Sequence, residues 1–263
     1  MQKFYTKPKI AKRCCTLVRE QIDIEYAKDC VIEPSAGNGV FIQGLKTLCK
    51  NTIFIDIKPD NTIITKQNYL TYHHDASKYQ KIHVIGNPPF GFKGSMAIKF
   101  IKKSAQFADT ISFILPLSFE KKSMQHSVPL QFHLKYSWIL PENSFNFHNK
   151  DVHIPSVFQI WERRNTLRKE PIKVIPNGYH YVKDHVHADI AIRRVGSNAG
   201  KIYTVSLPDR NINSHYFIKL DNLKHIKVLE NKGIIKNTAK HYVTGALSIS
   251  KKDMTKALNN VIS

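Results

Sequence analysis

The sequence predicts an α/β protein, with a doubly wound sheet followed by a smaller accessory region of α+β type. Short apolar runs at 31–32, 52–55, 82–85 and 110–115 are separated by stretches long enough for helices. The first run enters a glycine-rich turn that opens a helix, the arrangement by which such sheets bring backbone close to a ligand. A charged run at 162–171 ending in Pro171 then reads as a linker and divides the chain, so the expected boundary lies between a domain at 1–164 and a region at 165–263.

Taken in order, Pro8 suits the first turn of a helix running to about Gln21, whose stripe is Ile10, Cys14, Leu17 and Val18. Val31-Ile32-Glu33 is a strand entering the turn Pro34-Ser35-Ala36-Gly37-Asn38-Gly39, with a helix beyond Phe41. Gly37 and Gly39 supply conformational freedom and leave room for a bound molecule. Thr52-Ile53-Phe54-Ile55 is a second strand and ends in Asp56, where such sheets place an acid for ribose hydroxyls; otherwise Asp56 is a solvated loop residue. Ile82 to Ile85 forms a third strand and runs straight into Gly86-Asn87-Pro88-Pro89-Phe90-Gly91. Ala97, Phe100, Ile101 and Ala105 mark a helix over 96–107, and Thr110 to Leu115 is a buried strand stopped by Pro116. Lysines and histidines at 121–133 suggest an exposed helix or lid. Leu134–Leu140 and Val157–Trp161 are expected to close the sheet as antiparallel strands. In the accessory region 188–196 and 215–220 read as strands, 198–201 as a turn, and Ser250-Lys251-Lys252-Asp253 as a capping box opening a last helix.

Composition narrows the partner. Of the 263 residues 42% are hydrophobic, enough for one substantial core and an appendage. Forty Lys and Arg against twenty Asp and Glu leave a net charge of +20, which favours a polyanion because phosphate neutralisation releases counterions. Cys14, Cys15, Cys30 and Cys49 lack metal-type spacing, so no metal site is expected and the thiols read as reduced. With no charged-then-apolar leader and no apolar stretch near the ~20 residues that span a bilayer, a soluble intracellular protein without a membrane partner is expected.

The string at 86–91 resembles the catalytic loop of enzymes that methylate planar amino nitrogens from S-adenosylmethionine; otherwise it is a strand-ending Pro-Pro turn. The chemistry behind the loop is specific. An aniline-like amine has its lone pair drawn into the ring, and two hydrogen bonds taken from its protons localise that pair and aim it at the methyl donor. The resemblance gives those acceptor roles to Asn87 and the carbonyl of Pro88. Pro88 and Pro89 stiffen the turn, and Phe90 offers a face for a flat base.

Over roughly residues 4–164 the chain resembles the class I S-adenosylmethionine-dependent methyltransferases, and within them the gamma-class branch that modifies adenine-N6 in DNA with an Asn-Pro-Pro-Phe motif. The implied fold is the Rossmann-like methyltransferase sheet, and the implied cofactor is S-adenosyl-L-methionine. Phe4-Tyr5-Thr6-Lys7-Pro8 matches the N-terminal cofactor segment, with Lys7 inserted in the usual Tyr-Thr-Pro and Thr6 as a methionine-carboxylate contact. Glu33, Pro34, Ala36, Gly37, Gly39 and Phe41 match the glycine motif. Asp56 and Ile57 match the ribose and adenine contacts, and Asn68-Tyr69-Leu70 stands where the family often has Asp-Phe-Leu. Relatives carry, at about 143–152, an aromatic residue that packs an extruded base; Phe145 and Phe147 are the candidates, unless both are core residues. Arg193, Arg194 and Lys201 are placed to track a phosphate backbone, or else belong to an ordinary basic flank.

The expected function is therefore methylation of the exocyclic amino group of adenine in DNA, with RNA as the alternative nucleic acid. Two other classes remain: a protein glutamine methyltransferase, which the basic charge disfavours, and an idle binding subunit, which the intact Gly37, Gly39 and Asp56 set disfavours.

Overall fold

The computed structural model describes residues 4–148, 150–170, 173–204, 207–232, 241–243 and 246–262. Contacts divide the chain into two compact units, residues 1–171 and 172–263.

In the first unit β1 (Tyr5–Thr6) leads directly into α1 (Pro8–Gln21), whose first-turn proline needs no hydrogen-bond partner for its nitrogen. The central strands follow as β2 (Cys30–Glu33), β3 (Asn51–Asp56), β4 (Thr65–Lys66), β5 (Ile82–Gly86), β6 (Thr110–Pro116), β7 (Phe132–Ile139) and β10 (Ser156–Arg163). They form one sheet in the order β4-β3-β2-β5-β6-β10-β7. Strands β4 to β6 are mutually parallel, and β10 runs antiparallel between β6 and β7. This is the Rossmann-like α/β fold expected from the sequence.

Residues alternate between two cores because successive side chains of a strand point to opposite faces. Val31, Phe54, Ile85 and Ile114 pack with α1 and α2 (Ile42–Leu48) on one face. Ile32, Ile55, Val84, Ile111 and Phe113 pack with α3 (Ser95–Ser104) on the other. The helices α1 and α2 approach closely at Gly44, where an added Cβ would stand 2.6 Å from Cys15 Sγ and 3.2 Å from its Cβ. All four cysteines are free and buried, and burial pushes the Cys15 and Cys30 thiols up to about 12.

Three segments depart from the sequence reading. Residues 121–133 hold only a short helix, α4 (Lys122–Gln125), and Val128 and Phe132 are buried, so apolar anchoring overrides the exposed composition. Segment 143–152 is a hairpin of β8 (Phe145–Phe147) and β9 (Lys150–Val152) that pairs through β8 with β1 in a separate three-stranded sheet. The inserted Lys7 belongs to this hairpin's grip, since its N–H donates to Ser144 O (3.0 Å) and its Nζ meets Asp151 Oδ2 (2.6 Å). The charged run is bound rather than loose from Glu162 through Arg168. Arg163 donates to the carbonyls of Ala105 and Ala108, and Arg168 donates to those of Gln125 and Val128 while covering the Trp161 ring. The compact first unit accordingly extends past 164. Pro171 itself lies outside the described residues.

The second unit contains β11 (Tyr179–Val182), β12 (Ile190–Arg193), β13 (Ile202–Tyr203) and β14 (His215–Leu220), in the order β11-β14-β12-β13. A small core of Ile190, Ile192, Ile218, Leu229, Met254 and Leu258 joins this sheet to α5 (His225–Lys232) and α6 (Lys251–Ile262). Ser250 caps α6 by accepting from the Asp253 N–H (3.2 Å). A hairpin of β15 (His241–Val243) and β16 (Ala246–Ser248) completes it. Among the described residues no helix is long and apolar enough to cross a membrane.

Gly44→Ala should destabilise the protein by about 1–2 kcal/mol, because overpacking against Cys15 outweighs the gain in helix propensity of up to ~1 kcal/mol. In a Cys15→Ala background the cost of the same substitution should shrink, since the 2.6 Å contact to Sγ is gone while the 3.2 Å contact to the Cβ of residue 15 stays. Urea unfolding of the four proteins checks the difference.

Candidate active site

The candidate residues gather where strand order reverses. β2 and β5 are neighbours, with β3 outside one and β6 outside the other, and sheets of this kind bind ligands at the carboxyl ends of the strands beside that crevice. Glu33 ends β2, Asp56 ends β3 and Gly86 ends β5.

The glycine turn is held from both sides. Gly37 and Gly39 have φ of 54° and 86°, and a Cβ on Gly39 would stand 2.7 Å from Ile42 Cδ1. Asp56 Oδ2 accepts from the Gly37 N–H and its Oδ1 from the Lys58 N–H, each at 2.8 Å. Asp56 is thus buried and tied to the turn, not a solvated loop residue. Ala36 N–H donates to Ile55 O (2.9 Å), and Pro34 is buried beside it. Tyr5 lies against Gly37 and donates its hydroxyl to Asp60 Oδ2 (2.6 Å). Burial, with that hydrogen bond, pushes the phenol up to about 12, so it stays a neutral donor.

Two buried oxygens in this crevice have no partner: Glu33 Oε2 and Asn87 Oδ1. Burial, and secondarily the charge of Asp56, raise the Glu33 carboxyl to about 8, so near neutral pH it is protonated until a cation meets it. A buried carboxyl without a partner costs several hydrogen bonds' worth of solvation, which is why it accepts a proton instead. Asn87 is oriented by two neighbours. Its Nδ2 donates to Thr6 Oγ1 (3.0 Å), which turns Oδ1 away as an acceptor, and its backbone carbonyl accepts from Ser35 Oγ (2.9 Å). Pro88 is buried, while Pro89 and Phe90 are half-buried.

Thr6 reaches Asn87 because β1 pairs with β8, placing Thr6 opposite Phe145 and Tyr5 opposite Asn146. Of the two candidate stacking residues, Phe145 is 1% exposed and packs in the core, whereas Phe147 is half-buried and touches the Phe4 ring at 5.1 Å. Phe41 and Tyr69 also face the interior. Phe41 fills the α1–α2 core, and Tyr69 stacks on Phe100 with its hydroxyl on Ser104 Oγ (2.8 Å). Neither ring presents a face to a bound molecule, since apolar bulk at these positions completes the two cores. Asn68 is exposed and caps a short turn by accepting from Leu70 N–H (3.0 Å), and Ile57 is exposed beyond Asp56. Ser35 and Asp60 escaped the sequence reading, since their partners lie 52 and 55 residues away and no spacing rule connects them.

In the second unit Arg193 faces His215 across the β12–β14 pair. Lys201 and Arg210 lie over the Tyr203 ring at 5.4 and 3.9 Å, and His215 meets that ring edge-on. Arg194 is separate and covers Tyr216 at 5.4 Å, on the ring that packs toward the helices. Arg210 and His215 had no sequence signal. Among the described residues no group of three or more His, Cys, Asp or Glu side chains is placed to hold a metal.

No protein-family model matches the chain, and no curated protein matches it either. Solved structures do. A Pyrococcus horikoshii protein described as a candidate RNA methyltransferase is 18% identical with a TM-score of 0.48, covering 61% of this chain and 86% of that one. The 23S rRNA methyltransferase ErmE is 13% identical with a TM-score of 0.47, covering 64% and 73%. TrmN from Thermus thermophilus is 12% identical with a TM-score of 0.39, covering 60% and 49%. At such values the residues of the site, not the neighbours, must carry the chemistry.

Infrared difference spectra should show a protonated Glu33 carboxyl below neutral pH, absent from Glu33→Gln, which disappears as pH rises through about 8. The sign follows from burial favouring the neutral acid. An ionised Glu33 at pH 6 would contradict the assignment.

Proposed function

We propose that this protein transfers a methyl group from S-adenosylmethionine to the exocyclic amino group of adenine in a nucleic acid. The carrying observation is Asn87, whose Nδ2 donates to Thr6 while a buried, unpartnered Oδ1 remains at the end of β5.

The crevice fits the cofactor. The unpartnered Glu33 carboxyl suits the methionine ammonium, the Gly37–Gly39 turn leaves room for its chain, and Asp56 has lone pairs left over for ribose hydroxyls beyond its two backbone bonds. When bound, S-adenosylmethionine supplies a methyl group on a cationic sulfur. Glu33 ionises as an ammonium group arrives, so affinity rises with pH until about 8. Asn87 Oδ1 accepts one amine N–H, and the Pro88 carbonyl is the second acceptor. Together they turn the lone pair out of the ring, an electrostatic contribution that is prearranged because Asn87 is already oriented. Neither acceptor is a base, so the amine's surplus proton leaves to water. Phe90 and Phe147 are the half-buried rings available to stack the adenine. Tyr5 and Asp60 brace the glycine turn. In the second unit Arg193, Lys201 and the newly found Arg210 form a cationic cluster suited to phosphate, while Arg194 serves its own tyrosine contact.

The net charge of +20 supports a polyanionic substrate over protein glutamine. DNA is the first substrate expected, on motif order, and RNA the second.

Asn87→Ala should lower turnover by ~100-fold or more with cofactor affinity nearly intact, as for loss of a transition-state acceptor. Thr6→Val, which removes the oxygen holding Nδ2, should lower kcat by about 10-fold, whereas Thr6→Ser should behave close to wild type. Steady-state kinetics with calorimetry of cofactor binding separates these effects, and full activity in Thr6→Val would remove the orienting role.

Labelled S-adenosylmethionine incubated with duplex DNA, single-stranded DNA and RNA should yield N6-methyldeoxyadenosine on nucleoside analysis. Label in RNA alone would move the substrate and leave the Asn87 chemistry standing. Label in protein glutamine would overturn the nucleic-acid reading, and failure to bind the cofactor would leave only an idle subunit.

A further inference from the structure

The loop that carries Asn87 does not end at Phe90. It continues as Gly91-Phe92-Lys93-Gly94, a turn closed by Gly94 N–H donating to Gly91 O (3.2 Å) and by Met96 and Ala97 N–H groups donating to Phe90 O (3.1 and 3.3 Å). Gly91, Lys93 and Gly94 all have positive φ, of 68°, 51° and 77°, and the last two are left-handed. A Cβ on Gly91 would stand 2.9 Å from the Met96 backbone nitrogen, so the turn is tightly packed at its base. At its tip Phe92 is 80% exposed, the most exposed large hydrophobic side chain among the described residues. Lys93 Nζ lies 5.0 Å from the centre of its ring.

A single exposed apolar side chain is ordinary on a protein surface. Here the ring sits on a tightly packed turn, beside a cation that occupies left-handed backbone despite having a side chain. It also follows Asn87 by five residues, no more than ~18 Å of chain. An aromatic face beside an ammonium matches one repeat of a polynucleotide, a base and its phosphate. A mononucleotide would not require this second platform, whereas a polymer presents a neighbouring base whenever its adenine occupies the crevice. Extruding an adenine leaves that neighbour unstacked on one side, and stacking on a protein ring offsets part of the cost.

Resting on the methyltransferase reading above, we propose that Phe92 stacks on a base flanking the methylated adenine and that Lys93 meets the phosphate between them. Phe92 is a substrate-positioning residue, absent from the chemistry at the amine. The substrate is thereby a strand that is locally unpaired around its target.

The test uses the full-length protein and an oligonucleotide of the polymer that wild type methylates, together with versions lacking the base on either side of the target adenine. Phe92→Ala should lower kcat/KM on the intact oligonucleotide by about 10-fold, within the range that base stacking carries, and Phe92→Trp should retain activity. On one of the two abasic versions, wild type and Phe92→Ala should become equal. Lys93→Asn, which tolerates the left-handed backbone, should weaken binding and reduce the salt slope by about one. Cofactor affinity should be unchanged in all three variants. Equal kcat/KM for Phe92→Ala and wild type on the intact strand would overturn the stacking role, as would a loss that persists on both abasic versions. Wild type that methylates no polymer would defeat the underlying reading along with it, whereas an active wild type indifferent to Phe92 would defeat this inference alone.

Discussion

The hydrogen bond from Asn87 Nδ2 to Thr6 Oγ1 joins segments 81 residues apart in the chain: the end of β5 in the central sheet and β1 in the small sheet beside it. An amide at the end of a strand has two orientations, and only one leaves its carbonyl as the acceptor. Thr6 is buried and stands opposite Phe145 by strand pairing, so the hydroxyl that accepts from Nδ2 is held at a fixed place. The Ser35 hydroxyl on the Asn87 carbonyl adds a second constraint from the glycine turn. Two separate segments therefore fix one residue, β1 through its side-chain amide and the glycine turn through its backbone carbonyl, which is how a site gains positional accuracy from rigid elements.

The two carboxylates of the crevice divide their work by environment. Asp56 receives two backbone N–H groups and thereby shapes the turn, while Glu33 receives none at Oε2 and is pushed toward its neutral form by burial. A carboxyl that is neutral when alone and charged when matched with a cation discriminates by charge as well as shape. The same crevice excludes Phe41 and Tyr69 from contact roles, since their rings close the two cores that support the strand ends.

The second unit contributes a different kind of chemistry. Its core is covered by α5 and α6, and it carries Arg210 and Lys201 around the Tyr203 ring, with Arg193 opposite the neighbouring His215. Burial keeps His215 from ionising easily, so the positive charge there comes from the arginines and the lysine. Such a cluster favours anions without selecting a base, in contrast to the directional acceptor at Asn87.

The sequence by itself determined the fold class, the helix from Pro8 to Gln21, the strand from Thr110 to within one residue of its end at Pro116, the strand His215–Leu220 and the cap of the last helix, because these depend on local periodicity, proline and capping chemistry. It also marked Gly37, Gly39, Asp56 and Asn87, whose conformations or strand-end positions leave a local imprint. Tertiary structure alone decided which aromatic rings remain available, since burial of Phe145 and partial exposure of Phe147 follow from pairing with β1, more than a hundred residues away in the chain. It decided that the charged run through Arg168 is anchored, because arginine stems and carbonyl acceptors meet only after β7 and β10 pair. It also decided the orientation of Asn87 and the neutrality of Glu33, which arise from partners gained or withheld in space and have no period, spacing or composition to announce them.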